Sequence, residues 1–323
     1  MGKKVLKKKH IKNLRAIVPG GVDENVDLSK ISRWKIGGNA DCVVRPSSTE
    51  EVSSTIRYLS NHNLPFVVIG STSNLLFSDE GLNAVCIQIG NRMSEYQIEN
   101  RNVWAQAGVW VPGFARNVAK AGLSGIEHTA GIPGTLGGLV CMNGGSQRKG
   151  IGSQIVELKA VSTFGEIETF NQSECDFDYR SSIFQENGNI ITELYLEFNK
   201  EKPSRSIRNE MLEILKERRN KFPQKLPNCG STFMSHPVIY EKFGPPGKVI
   251  EDLGYKGYRV NDAEVSDIHA NFLNNKGNAK AIDILKIINE LHSNIKKFTG
   301  YNMEAEVKYV YPSGKIKQAH LVL

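Results

Sequence analysis

The run Gly131-Ile132-Pro133-Gly134-Thr135-Leu136-Gly137-Gly138 constrains this chain more than any other stretch. Four glycines in eight residues are more than packing needs. Without a Cβ, the backbone can come close to a flat or phosphorylated ligand. The spacing is not G-x-G-x-x-G and no acidic ribose partner stands out, so a Rossmann site is excluded. No P-loop sequence occurs either. Gly122-Leu123-Ser124-Gly125 upstream and Asn143-Gly144-Gly145 downstream lengthen the glycine-rich region. A loop that binds nothing is the plain alternative.

A second loop, Gly70-Ser71-Thr72-Ser73-Asn74-Leu75-Leu76, directly follows the apolar run Pro65–Ile69. Small residues after a strand let N–H groups converge on an anion, and Ser and Asn side chains add donors. On spacing alone, an ordinary strand-to-loop turn is the favoured reading, because a single short motif is a weak signal.

The elements around these loops mix strands and helices throughout, which indicates an α+β protein rather than a regular βαβ array. Ser48 or Thr49 starts a helix carrying Val52, Ile56 and Leu59 on one face, with Glu50 and Glu51 in its first turn. Strands are expected at 42–44, 65–70, 84–89 and 190–198, a hairpin over 155–170, and a last strand over 304–311. Helices are expected over 111–121, 207–222 and 279–298. The stretch 237–247 reads as loop. Lys202-Pro203-Ser204 interrupts the pattern and is the expected domain boundary. The division is then 1–30 as a basic tail and lead-in, 31–203 as the first domain and 204–323 as the second.

Composition narrows the partners. The 323 residues carry a formal net charge of +7. Apart from Lys3, Lys4, Lys7, Lys8 and Lys9, the basic residues are dispersed and not interleaved with aromatics, so a single-strand nucleic-acid platform is not indicated. Small anionic ligands such as dinucleotides and nucleotide sugars fit such a charge. No apolar run approaches the length of a membrane span, and no cleavable leader follows the basic start. Gly2 is followed by Leu6 where a myristoylation signal carries Ser or Thr. Five cysteines occur with no C-x-x-C pair and no zinc spacing; Cys42, Cys86 and Cys141 lie among apolar neighbours, as buried thiols in a reducing compartment do. A cytoplasmic protein without a metal is expected.

Eight segments in order, from about residue 31 to 310, carry a resemblance. They begin with Trp34-Lys35-Ile36-Gly37-Gly38-Asn39-Ala40-Asp41, the Gly70 loop, Gly122-Leu123-Ser124-Gly125-Ile126-Glu127 and the 131–138 run. Tyr179-Arg180-Ser181-Ser182-Ile183-Phe184, Cys229-Gly230-Ser231-Thr232-Phe233, Gly257-Tyr258-Arg259-Val260 with His269-Ala270-Asn271-Phe272, and Glu304-Ala305-Glu306-Val307 complete them. The chain resembles the UDP-N-acetylenolpyruvoylglucosamine reductase family. The resemblance implies a two-lobed FAD-binding domain of the vanillyl-alcohol-oxidase (PCMH) type and a smaller C-terminal α+β substrate domain. It implies non-covalent FAD, held by Gly70, Ser71, Thr72, Ser73, Asn74, Gly131, Ile132, Pro133, Gly134, Thr135 and Gly138. It also implies NADPH as the reductant of an enolpyruvyl UDP-sugar, in peptidoglycan precursor synthesis. A monomer is expected, of the subtype without a substrate-capping insertion between Arg180 and Ser231. A paralogous flavoprotein serving a different UDP-sugar is the alternative.

The chemistry can be checked against residue types. Hydride addition to the vinyl carbon puts enolate charge on the carboxylate, which a fixed cation and a carboxyl group can stabilise. Arg180 and Glu306 match the family's arginine and glutamate. The adjacent carbon needs a proton, and Ser231 matches the family's serine; a hydroxyl is a weak acid and must be held close and oriented. Tyr258, Arg259, His269 and Asn271 are expected to line the substrate pocket. Taken singly, each has a plainer reading: a structural ion pair for Arg180, a turn residue for Ser231, a solvated edge for Glu306, a structural histidine for His269. Three positions depart from the family: Thr72 and the pair Asn261-Asp262 stand where glycines are common, and Met234-Ser235-His236 replaces a lysine-bearing segment. A Cβ at Thr72 is expected to point toward the cofactor's pyrophosphate.

Overall fold

Four apolar residues, Phe66–Ile69, form a strand that pairs in parallel with Leu82–Gln88, in register from Phe66↔Val85 to Ile69↔Gln88. Alternate residues of the short strand are buried, as a pleated half-covered strand requires. The computed structural model describes residues 6–198 and 200–323. Lys3, Lys4 and Gly2 lie outside the described residues. The chain divides into two compact units that are interleaved in sequence, residues 1–24, 42–71 and 85–218 against 25–41, 72–84 and 219–323. The expected boundary at 202–204 is therefore not where contacts separate. The helix Ser204–Lys221 begins there, and Ile207 and Met211 bury themselves in the core of the first unit.

In the first unit, a five-stranded antiparallel sheet has the order 167–171, 155–161, 190–197, 102–106, 96–99. The expected hairpin pairs Ile167↔Val161 through Asn171↔Glu157. The helix Thr49–Asn61 starts where Ser48 accepts the Glu51 N–H. It buries Val52, Ile56 and Leu59. Within the stretch expected as tail and lead-in, the described residues form regular elements. Lys8–Ile17 is a helix whose Ile11 and Leu14 enter the same core, and Val22–Asp27 is a strand. Lys8, Lys9, Lys12 and Arg15 crowd a narrow buried face of His10, Ile11 and Leu14, and the density of charge obscures the short apolar pattern.

In the second unit, Leu75–Phe77 pairs in parallel with Lys308–Val310, and Ile316–Gln318 adds an antiparallel third strand. The long helix Ala281–Thr299 buries Ile284, Leu285, Ile288, Leu291 and Ile295. Asp79 accepts the N–H groups of Ala281 and Ile282 and so satisfies two donors at its start. Residues 237–247, read as loop, hold the helix Pro237–Phe243 and the start of Pro246–Asp252. Each has a proline in its first turn, where the missing N–H costs nothing; the prolines suggested a loop. None of the five cysteines is in a disulfide, and Cys141 is only half-buried, whereas Cys42 and Cys86 are fully buried.

Candidate active site

In the first unit, Gly70 and the 131–138 run meet at a single contact. A Cβ on Gly70 would lie 2.3 Å from the Thr135 hydroxyl, so only glycine allows this approach. The run is anchored from the other side, where Leu136 N–H donates to Val109 O at 2.8 Å and Gly137 N–H to Ala107 O at 2.8 Å. Beside this contact is a cleft of about 170 Å³, lined by Arg45, Ser71, Asn91, Arg92, Trp110 and Thr135, among others. Its size suits part of a dinucleotide. A groove of about 720 Å³ lies across the five-stranded sheet, over Trp104, Glu193 and Tyr195, but none of the glycine segments lines it.

The lead-in to the run is locked by its own acid. Glu127 accepts from Ser124 Oγ at 2.6 Å and Gly125 N–H at 2.7 Å. Burial works against its charge, but these donors prevail and hold it below the usual glutamate range. The next residue, His128, is buried, and its Nε2 has no hydrogen-bond partner among the described residues. A polar ligand group would satisfy it. Close-approach glycines and arginines at a polar cleft together fit an anionic dinucleotide such as FAD.

Arg180 sits at the tip of a tight turn in which Asp178 and Ser181 exchange backbone hydrogen bonds. Its φ is +56°. Asn143 ties the turn to the glycine-rich region by donating to Asp178 O at 2.9 Å and accepting from Gly152 N–H at 3.0 Å. Ser182 Oγ donates to Cys141 O at 2.6 Å. A residue the sequence reading missed is Arg218. Its Nε would lie 2.5 Å from a Cβ at Gly131, so it packs on the first glycine of the run. Burial, then the positive charge of Arg180, lower its pKa. The arginine-rich end of its helix gave no signal that this one turns inward.

In the second unit, Ser231 and Glu306 are brought together through one residue. Ser231 bridges Phe272, Thr232 N–H donates to Asn271 O at 2.8 Å, and Glu306 N–H donates to Thr232 O at 2.8 Å. Both side chains are half-buried. The structure gives Asn271 a different task from lining a pocket: its amide is spent on Phe233, accepting the N–H at 2.9 Å and donating to the carbonyl at 3.0 Å. His269 packs among Phe222 and Phe272, and its Nδ1 accepts the Asn271 N–H. Burial holds it below the ordinary histidine value. Tyr258 donates to Glu290 at 2.6 Å, and Arg259 pairs with the buried Glu264. These four residues thus carry structural bonds. His236 caps the helix Pro237–Phe243, and its ring lies tilted against Tyr301.

Of the residues expected at the cofactor, Gly70, Ser71 and 131–138 belong to the first unit and Thr72, Ser73 and Asn74 to the second. The Thr72 hydroxyl donates to Ile31 O and accepts the Arg33 N–H, each at 3.1 Å. Its side chain is therefore buried in a structural role, in place of the expected approach to a pyrophosphate. Among the described residues no cluster of three or more His, Cys, Asp or Glu could hold a metal ion.

Comparison with known proteins adds to this geometry. Residues 40–171 match the FAD binding domain family, and residues 222–310 match the C-terminal domain of UDP-N-acetylenolpyruvoylglucosamine reductase. UDP-N-acetylenolpyruvoylglucosamine reductase 1 of Corynebacterium glutamicum is 43% identical over 299 residues, covering 92% of this chain and 88% of that protein. The chain belongs to the UDP-N-acetylenolpyruvoylglucosamine reductase family. The reductase of Syntrophomonas wolfei is 36% identical over 90% of this chain and 96% of its own. The crystal structure of the reductase (MurB) from Thermus caldophilus aligns with a TM-score of 0.75 at 29% identity, over 88% of this chain and 98% of that one. The fold is α+β, an FAD-binding domain of the PCMH type followed by the family's C-terminal domain.

Proposed function

We propose that this chain is an FAD-dependent oxidoreductase that uses NADPH to reduce the enolpyruvyl ether of UDP-N-acetylenolpyruvoylglucosamine to UDP-N-acetylmuramate, a step of peptidoglycan precursor synthesis. The observation that carries the reading is family identity over nearly the whole chain, together with Ser231 and Glu306 set on either side of the Thr232 peptide. Bound FAD would supply the hydride, drawn from NADPH. Gly70, Ser71, Thr135 and the rest of the 131–138 run are read as its holders, with Arg45 and Arg92 offering charge to the diphosphate. Ser231 Oγ is read as the proton donor to the carbon beside the one that takes the hydride. Glu306, as a protonated carboxylic acid, is read as a hydrogen-bond donor to the substrate carboxylate while enolate charge builds there, and Arg180 as a source of fixed positive charge for that enolate.

The short stretch between Arg180 and Ser231 favours the subtype without the capping insertion. A cytoplasmic monomer acting on small ligands, with neither nucleic acid nor membrane as partner, belongs to the same reading. No helix among the described residues is long and apolar enough to cross a membrane. The deciding experiment is a steady-state assay of NADPH oxidation with a panel of UDP-sugars. Turnover confined to the enolpyruvyl compound is expected. Turnover on another UDP-sugar instead would favour a paralogous role in a different surface polysaccharide.

A further inference from the structure

The end of the chain grips the segment that carries Glu306. His320 is buried, and its Nδ1 accepts the Ala305 N–H at 3.1 Å. That bond requires Nδ1 to carry no proton. The neighbouring residues hold the same segment: Ala319 N–H donates to Val307 O at 2.9 Å, and Gln318 Nε2 donates to Glu304 at 3.0 Å. Phe233 bridges Ala305 from the other side. The charged and titratable groups that face His320 are His292, whose ring lies 4.7 Å away on the helix Ala281–Thr299, and Glu304; Lys296 of that helix acts on His292.

We propose that His320 is a positioning residue for Glu306. Its unprotonated Nδ1 fixes the Ala305 peptide and, through it, the direction in which the Glu306 carboxyl is presented. A proton on Nδ1 turns the acceptor into a donor and sets it against the Ala305 N–H, so the grip loosens on acidification. The inference rests on the reading of Glu306 as a catalytic carboxyl. Burial first, then the charge of His292, keep His320 below the ordinary histidine value, so the grip is set at neutral pH.

The test uses the FAD-loaded, full-length protein with His320→Ala and His320→Asn. The asparagine oxygen sits near the place of Nδ1 and accepts without titrating. In the alanine variant kcat for the enolpyruvyl substrate should fall about tenfold with little change in KM. The asparagine variant should recover most of that loss and flatten the acid limb of the wild-type kcat profile. Selective ¹⁵N-alanine labelling should show the Ala305 amide losing hydrogen-exchange protection in the alanine variant and keeping it in the asparagine variant. Unchanged protection in His320→Ala overturns the contact itself. Protection lost with kcat intact overturns the positioning role if Glu306→Gln is slow, whereas Glu306→Gln at the wild-type rate overturns the premise that Glu306 is catalytic. Should the alanine variant not fold, an asparagine variant that folds but turns over tenfold slower than wild type overturns the acceptor role.

Discussion

Thr72 has a φ of +55° and Asn261 a φ of +51°. Backbone of this left-handed kind favours glycine. Asparagine tolerates the left-handed region, and Asn261 also donates to Asp283 at 2.8 Å. A β-branched threonine there is strained, and its two hydrogen bonds offset the strain. Thr72→Ala keeps the strain and orphans the Arg33 N–H, so it should destabilise the fold by about 1–3 kcal/mol. Thr72→Gly removes the strain as well and should cost less; urea denaturation of both gives the order. At the chemical residues, Ser231→Ala should slow substrate reduction by about 10²–10⁴ while NADPH still bleaches the flavin at the wild-type rate. Arg180→Ala should keep its FAD and lose substrate reduction. Rapid mixing separates the two half-reactions, and unchanged turnover in either variant removes that residue from the chemistry.

The elements that present Ser231 and Glu306 are short, and their precision comes from side chains that hold backbone. Asn271 clamps Phe233, Asn228 accepts the Gly230 N–H at 3.1 Å, and Asp79 caps the long helix. Asp79→Ala leaves two N–H groups at that helix start without their partner and should lower stability by about 1 kcal/mol, read as a shifted thermal midpoint. The long helices and the hairpin were legible because their apolar residues repeat at 3.6 or at 2 over many positions. The helix Pro237–Phe243 was hidden by its prolines, and the helix Lys8–Ile17 by its charge. The motifs gave Ser231 and Glu306 as chemistry, but no local pattern showed that Asn271, Tyr258 and Arg259 are occupied by protein partners. Phe233 and Glu290 are fixed by tertiary packing, and Glu264 stands opposite Arg259 in the short hairpin of residues 259–265.

At the scale of the whole molecule, interleaving is what sequence order hid. Residues 25–41 and 72–84 belong to the unit that contains the C-terminal helix, because Trp34 donates to Leu273 O at 2.8 Å and Leu75–Phe77 joins a strand beyond residue 300. Five histidines, His10, His128, His269, His292 and His320, are held below the ordinary value of 6.5, burial being the first cause in each. A depressed folded value means that the unfolded chain binds these protons first. Their contribution to stability is complete above about pH 6.5 and is lost as pH falls through the folded values. The denaturant midpoint should therefore be flat from pH 8 to about 6.5 and decline below it; a midpoint that rises on acidification contradicts this. The central claim is tested most directly by a single turnover. FAD-loaded protein, reduced anaerobically by one equivalent of NADPH, is mixed with UDP-N-acetylenolpyruvoylglucosamine. The account predicts return of the oxidised flavin spectrum with one equivalent of UDP-N-acetylmuramate; a flavin that stays reduced, with the substrate recovered unchanged, would contradict it.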